Sequence, residues 1–146
     1  MSTKFSQFNA GGAIVAGDVI VGLRAGVNTQ FNAPALPVLP WSVIVVSQPL
    51  LINEGYFILN NIPQNFLLPV AANFGEILQI VNFSGVAFTI TQSAHQQIQF
   101  GAQATTLGIG GSIQSTNIGD SLTLICNVPN TNFVLLGAPT GNWNIV

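Results

Sequence analysis

The residues that can do chemistry near neutral pH are few: one histidine, one cysteine and four carboxylates. His95 alone titrates in that range. Nucleophilic catalysis would need it beside an activated hydroxyl or thiol, with an acid to orient it. Ser93 stands close in sequence, but no acid lies within fifteen residues, so His95 is expected in a surface turn without a catalytic role. Cys126 falls on the inward side of an alternating strand with no basic neighbour, which predicts a small buried hydrophobe and not a reactive thiol. Glycoside hydrolysis needs two carboxylates at a set separation. Glu54 and Glu76 are the candidates, yet each adjoins a glycine at a turn and nothing in their spacing makes a pair. One His, one Cys and four scattered acids give no metal-ligand spacing. Gly108-Ile109-Gly110-Gly111 lacks the lysine and following helix of a phosphate loop. No catalytic residue, metal or cofactor is expected, and the chain does not read as an enzyme.

The residues suited to ligand contact are aromatic. Trp41, Tyr56 and Trp143 can stack on sugar rings while neighbouring amides bond in both directions. Asn142 and Asn144 flank Trp143 and make that segment a candidate glycan site; the competing reading places Trp143 at the bottom of the core. Asn82-Phe83-Ser84 matches a glycosylation acceptor, a short pattern that would be idle in a viral or bacterial protein. Asp18 and Arg24 flank a predicted hairpin and can pair within one chain or between chains, contributing about 0–1 kcal/mol at a surface.

Composition narrows the class further. Of the 146 residues only 4% are charged, against about 25% in ordinary soluble domains. Almost half are hydrophobic, and fifteen Asn and eleven Gln outnumber the six charges. A folded chain of this mass exposes roughly 7,000 Å², which these polar groups cover thinly. Large exposed apolar patches mark interfaces, so the chain is expected to bury them against copies of itself. Two basic residues cannot neutralise a phosphate backbone, which excludes nucleic acid as a partner. A single cysteine excludes an internal disulfide.

The elements that must position these residues are strands. Val19 to Leu23 and Val27 to Phe31 read as a hairpin about a Gly turn. Asn32 to Pro40 carries three prolines and reads as an extended connector. Val43 to Val46 reads as a buried strand and Tyr56 to Leu59 as another. Ile77 to Asn82, the turn Phe83-Ser84-Gly85 and Val86 to Gln92 read as a hairpin, with Phe88 and Ile90 on one face. Ser121 to Val128 alternates, with Leu122, Leu124, Cys126 and Val128 inward, and Pro129-Asn130-Thr131-Asn132 turns it back into Phe133 to Leu136. Val70 to Phe74 is the best helical candidate and is too short to stand alone. The expected fold is all-β, with short antiparallel strands and hairpins forming a β-sandwich or meander. A first module over residues 1–40 carries the hairpin and connector, and a β domain follows over residues 41–146; Pro63 to Pro69 is the other place where a break could fall. The uncharged stretches are broken by Pro, Gly and alternating polar residues, so no membrane insertion is expected, and Met1 to Gln7 shows no secretory signal.

Two segments resemble modules of bacteriophage tail-fibre and related receptor-binding proteins. The first is Gly17-Asp18-Val19-Ile20-Val21-Gly22-Leu23-Arg24, continuing to Phe31. The second runs from Glu76 to Val146, through Ile90-Thr91-Gln92-Ser93-Ala94-His95-Gln96-Gln97-Ile98-Gln99-Phe100-Gly101, Gly110-Gly111-Ser112-Ile113-Gln114-Ser115-Thr116 and Gly119-Asp120-Ser121-Leu122-Thr123-Leu124-Ile125-Cys126, to the ending Gly141-Asn142-Trp143-Asn144-Ile145-Val146. The middle of the chain is unmatched. The resemblance implies a trimeric β-structured appendage on a virion or cell exterior, whose tip touches a host-surface glycan or envelope component. At 146 residues the chain leaves no room for an attachment region and a shaft, so an excised tip, a short decoration protein or a cell-borne lectin or adhesin of the same build are the forms expected.

Overall fold

Alternation of apolar and polar side chains, read with a period of two, accounts for the strands that form. The computed structural model describes the backbone of Val19–Arg24 and Val27–Asn32 and, in full, Leu39–Val146. The chain divides into two units, Met1–Val38 and Leu39–Val146. In the first, strands β1 (Val19–Arg24) and β2 (Val27–Asn32) pair antiparallel, with Val19 opposite Asn32 and Arg24 opposite Val27. The Asp18–Arg24 ion pair and residues 33–38 of the connector lie outside the described residues.

The second unit holds two sheets. The larger has the order β3 (Trp41–Ile44), β4 (Glu54–Ile58), β6 (Ile77–Asn82), β11 (Ser121–Val128), β12 (Asn132–Leu135), β8 (Gln97–Phe100), β9 (Gln103–Ala104). The smaller has the order β13 (Trp143–Ile145), β10 (Ser112–Ser115), β7 (Phe88–Thr91), β5 (Gln64–Leu67). Both supply one core: Tyr56, Ile58, Leu78, Ile80, Leu124 and Phe133 from the larger meet Phe66, Phe88, Ile90 and Ile113 from the smaller. Among the described residues there is no helix, and Val70 and Phe74 of the short helical candidate are exposed.

The sheets are mixed, not antiparallel throughout. β3 with β4, β4 with β6, β5 with β7 and β8 with β12 are parallel. The cause is the path of the chain. From β4 to β7 each successive strand changes sheet, so β4 lies beside β6 and β5 beside β7, each pair pointing the same way. The expected hairpin over Ile77 to Gln92 is therefore a corner between sheets. Asn82 clamps it. Its amide oxygen accepts from the Ser84 backbone N–H (3.1 Å) and hydroxyl (3.0 Å), and its amide nitrogen donates to the carbonyls of Val86 (3.2 Å) and Asn117 (3.0 Å) and to Ser115 Oγ (3.2 Å). Gln92 and Gln96 clamp the next corner. Gln92 Nε2 donates to the carbonyls of Gln96, Thr106 and Gly108, and Gln96 Nε2 donates to those of Pro69 and Asn130. An amide can satisfy both donors and acceptors of a turning backbone, which a buried turn requires.

Two further expectations fail for local reasons. Val43 to Val46 is no buried strand: β3 is an edge strand, only Ile44 is buried, and Val43 is 59% exposed. Val128 is 47% exposed because the β11–β12 register shifts between Cys126 and Val128, turning it outward. The hairpin at Pro129 to Thr131 forms as expected, with Asn130 at φ 63°. Leu122, Leu124 and Cys126 are buried.

Candidate functional site

The outer face of the larger sheet carries a row of four residues in register: Trp41 on β3, Gly55 on β4, Gln79 on β6 and Thr123 on β11. Gly55 is what makes the row unusual. A Cβ there would stand 2.5–2.7 Å from three carbons of the Trp41 indole, so the ring lies directly on the glycine. Glycine inside a strand often marks such a close approach. The indole leans back over the sheet instead of projecting from its edge, 45% of Trp41 remains exposed, and Phe57 supports it at a centroid distance of 4.7 Å.

Beyond the indole the floor is polar. Gln79 Nε2 donates to Thr123 Oγ1 at 3.1 Å. That bond leaves the Gln79 carbonyl as an acceptor and the Thr123 hydroxyl proton as a donor. Val81 and Ser121 form the next row. The far wall comes from the segment after β12. Leu136 N–H bonds to Thr123 O and Thr140 N–H to Ser121 O, both at 2.8 Å. Leu136 and Thr140 are four residues apart while their partners are two apart, so the surplus residues must leave the ladder. Gly137, at φ 80°, permits the bend. The resulting cleft of about 290 Å³ is lined by Trp41, Gln79, Val81, Ser121, Thr123 and Ala138, with Ile80 and Leu122 beneath. None of these eight residues is charged.

Of the aromatic candidates, only Trp41 lines this cleft. Trp143 is half-buried on β13, edge-on to Phe88 at 5.8 Å and tilted against Phe100 at 6.3 Å, and its indole N–H donates to Thr140 O at 3.1 Å. Asn142 and Asn144 are exposed beside it; Asn142 accepts from the Thr116 hydroxyl through its carbonyl, and Asn144 donates to Gln114 Oε1 at 3.3 Å. Tyr56 is only 2% exposed and faces the core, so its ring offers no surface to a ligand. Its hydroxyl accepts from Leu51 N–H at 2.8 Å, and burial raises its pKa, with the Glu54 charge adding to the rise. The structure thus separates the two tryptophans and removes Tyr56 from the candidates.

Two of the carboxylates hold backbone. Asp120 is buried and accepts the N–H groups of Thr116 (2.6 Å) and Asn117 (2.8 Å). Glu76 accepts Asn73 N–H (2.7 Å) and Asn53 Nδ2 (3.3 Å). His95 is exposed at φ 67° in the turn before β8. Cys126 is buried, and burial raises its thiol pKa. Among the described residues no three His, Cys, Asp or Glu side chains group as metal ligands.

Sequence reasoning missed Gln79, Thr123 and Ala138. Gly55, opening the strand expected over Tyr56 to Leu59, was the one local signal of a close approach. The chain matches no protein-family model and no curated protein.

Proposed function

We propose that the chain is a non-enzymatic structural and adhesion module of a homotrimeric, phage-tail-fibre-like appendage, which docks its tip on a component of a host surface. The observation that carries this reading is the outer edge of β3, which pairs with no further strand among the described residues. Val43 is exposed on it and Val45 and Val46 just past its end, where Leu59, also exposed, bonds through its N–H to Ile44 O. An exposed strand edge is normally protected by lysine, proline or a cover. Residues 39–146 contain no Lys and no Arg, so charge does not protect this one. Burial against a second copy removes both the apolar area and the unpaired backbone groups. The segments similar to fibre proteins favour three copies and an external location.

Light scattering after gel filtration tests the assembly. A native mass three times the chain's 15.3 kDa is expected, and Val43→Lys with Val45→Lys, which place charge on the edge, is expected to lower it. A single-chain mass at all concentrations overturns the reading.

A further inference from the structure

We propose that the cleft between Trp41 and Ala138 is a binding site for a neutral saccharide, with the indole as the stacking platform. The inference rests on reading the chain as an adhesion module and names the surface chemistry that it would recognise.

Three features of the cleft select this class of ligand. The first is the posture of Trp41. Seated on Gly55, the ring cannot fold down further, and its remaining exposure faces the solvent side of the sheet. A fixed, flat indole suits the C–H face of a pyranose ring, which needs a hydrophobic plane and no charge. The second is the floor. The Gln79 carbonyl and the Thr123 hydroxyl proton are left unspent by their mutual bond, and the Ser121 hydroxyl makes no side-chain hydrogen bond among the described residues. One acceptor and two hydroxyls in two adjacent rows match a ligand whose own hydroxyls both donate and accept. The third is size and charge. From Gly55 to Thr123 is two strand spacings, roughly 10 Å, and the volume lies at the small end of ligand pockets. With no charged lining residue and no cation in residues 39–146, nothing pairs with a phosphate, sulfate or sialic carboxylate.

The residues divide into two kinds. Trp41, Gln79, Thr123 and Ser121 would touch the sugar. Gly55 positions the indole: a methyl group in its place occupies the seat of the ring and pushes the platform off the floor without removing any contact group. The distinction gives a test that a general loss of fold would not mimic.

The experiment titrates lactose, cellobiose and maltose into the native oligomer by calorimetry at low and high salt, with light scattering on each variant. Binding of at least one sugar at a Kd of about 0.1–10 mM is expected, unchanged by salt because no charge takes part. Trp41→Ala and Gly55→Ala are each expected to weaken it about tenfold or more, and Thr123→Val less, with native mass unchanged in all three. The inference is overturned by no heat with any of the sugars, by binding that survives Trp41→Ala, or by a Trp41→Ala variant whose native mass falls, since the indole would then be a contact between subunits. Sugar binding that depends on Trp41 in a protein of single-chain mass upholds the site and refutes the assembly reading alone.

Discussion

The two tryptophans occupy similar places in their sheets and opposite roles. Each lies on an edge strand, Trp41 on β3 of the larger sheet and Trp143 on β13 of the smaller. Trp143 is half-buried and held at three points: by Phe88, by Phe100 and by its own N–H to Thr140 O. Trp41 rests on a glycine and leans on Phe57, with 45% of its surface open. The difference lies in what each side chain was given to pack against. Phe88 lies fully buried beneath Trp143, whereas Gly55 has no side chain to interlock with Trp41. Packing into the core fixes the first aromatic; a missing Cβ seats the second while leaving it open. The two are nevertheless linked, because Thr140, which Trp143 holds, ends the bulged segment that carries Ala138 into the cleft. One tryptophan steadies a wall of the site, and the other forms the opposite wall.

The comparison breaks first at Asn82, which lies behind the Trp143 region. Its amide joins Ser84, Val86, Ser115 and Asn117, and Ser115 Oγ in turn accepts from Phe88 N–H at 3.0 Å. Asn82→Ala leaves several buried groups unpaired at once, each costing about 1–3 kcal/mol. A loss of roughly 4 kcal/mol in urea unfolding is expected, with Trp143 becoming more accessible to acrylamide. A loss below about 1 kcal/mol would mean that the corner is not held by this side chain.

Next comes the pair itself. Trp143→Ala opens a cavity against Phe88 and Phe100 and should cost about 3 kcal/mol. Trp41→Ala removes a ring packed on one side only and should cost about 1 kcal/mol or less. Equal costs would erase the division between a steadying and a presenting tryptophan. Trp143→Phe keeps most of the packing and deletes the bond to Thr140 O, so it isolates the effect of that bond on the Ala138 wall.

Part of this contrast was legible in the sequence. Period-two alternation put Phe88 and Ile90 on one face and Leu122, Leu124 and Cys126 inward, and all five are buried, because each strand has one face on the core. The parallel pairing was not legible, since the turn-like residues at Phe83 to Gly85 and Ser93 to His95 mark a change of direction without saying which sheet receives the next strand. The composition suggested that amides would dress the surface. Asn61, Asn65, Asn73, Asn142 and Asn144 are among those that do, but Gln64, Gln92, Gln96, Asn60 and Asn82 lie inside, where they bind turning backbone. Trp41 could be named as a candidate ligand contact from its type alone. Its seat on Gly55 and its neighbours Gln79 and Thr123 depend on cross-strand register, which local sequence does not carry.

The smallest expected effect concerns the inner side of the strand that seats Trp41. Tyr56 follows Gly55 on β4 and points to the core, where burial, more than the Glu54 charge, raises its pKa above the ordinary 10.0. The unfolded chain therefore loses this proton at a lower pH than the folded one. Between the two values the unfolded state binds fewer protons, so stability is fully present below about pH 10 and falls as pH rises through the folded value. Cys126, also raised by burial from its ordinary 9.0, adds a loss of the same sign that begins about one unit lower. Tyr56 is the only tyrosine, so tyrosinate absorbance reports it without interference: the native midpoint should lie above the one measured in denaturant. Tyr56→Phe gives up the bond from Leu51 N–H, worth about 1 kcal/mol at neutral pH, and should flatten the upper part of the alkaline decline, while Cys126→Ala flattens the lower part. If the native and denatured midpoints coincide, the ring is in contact with water, and β4 does not separate a sealed inner face from the open outer face on which Trp41 lies.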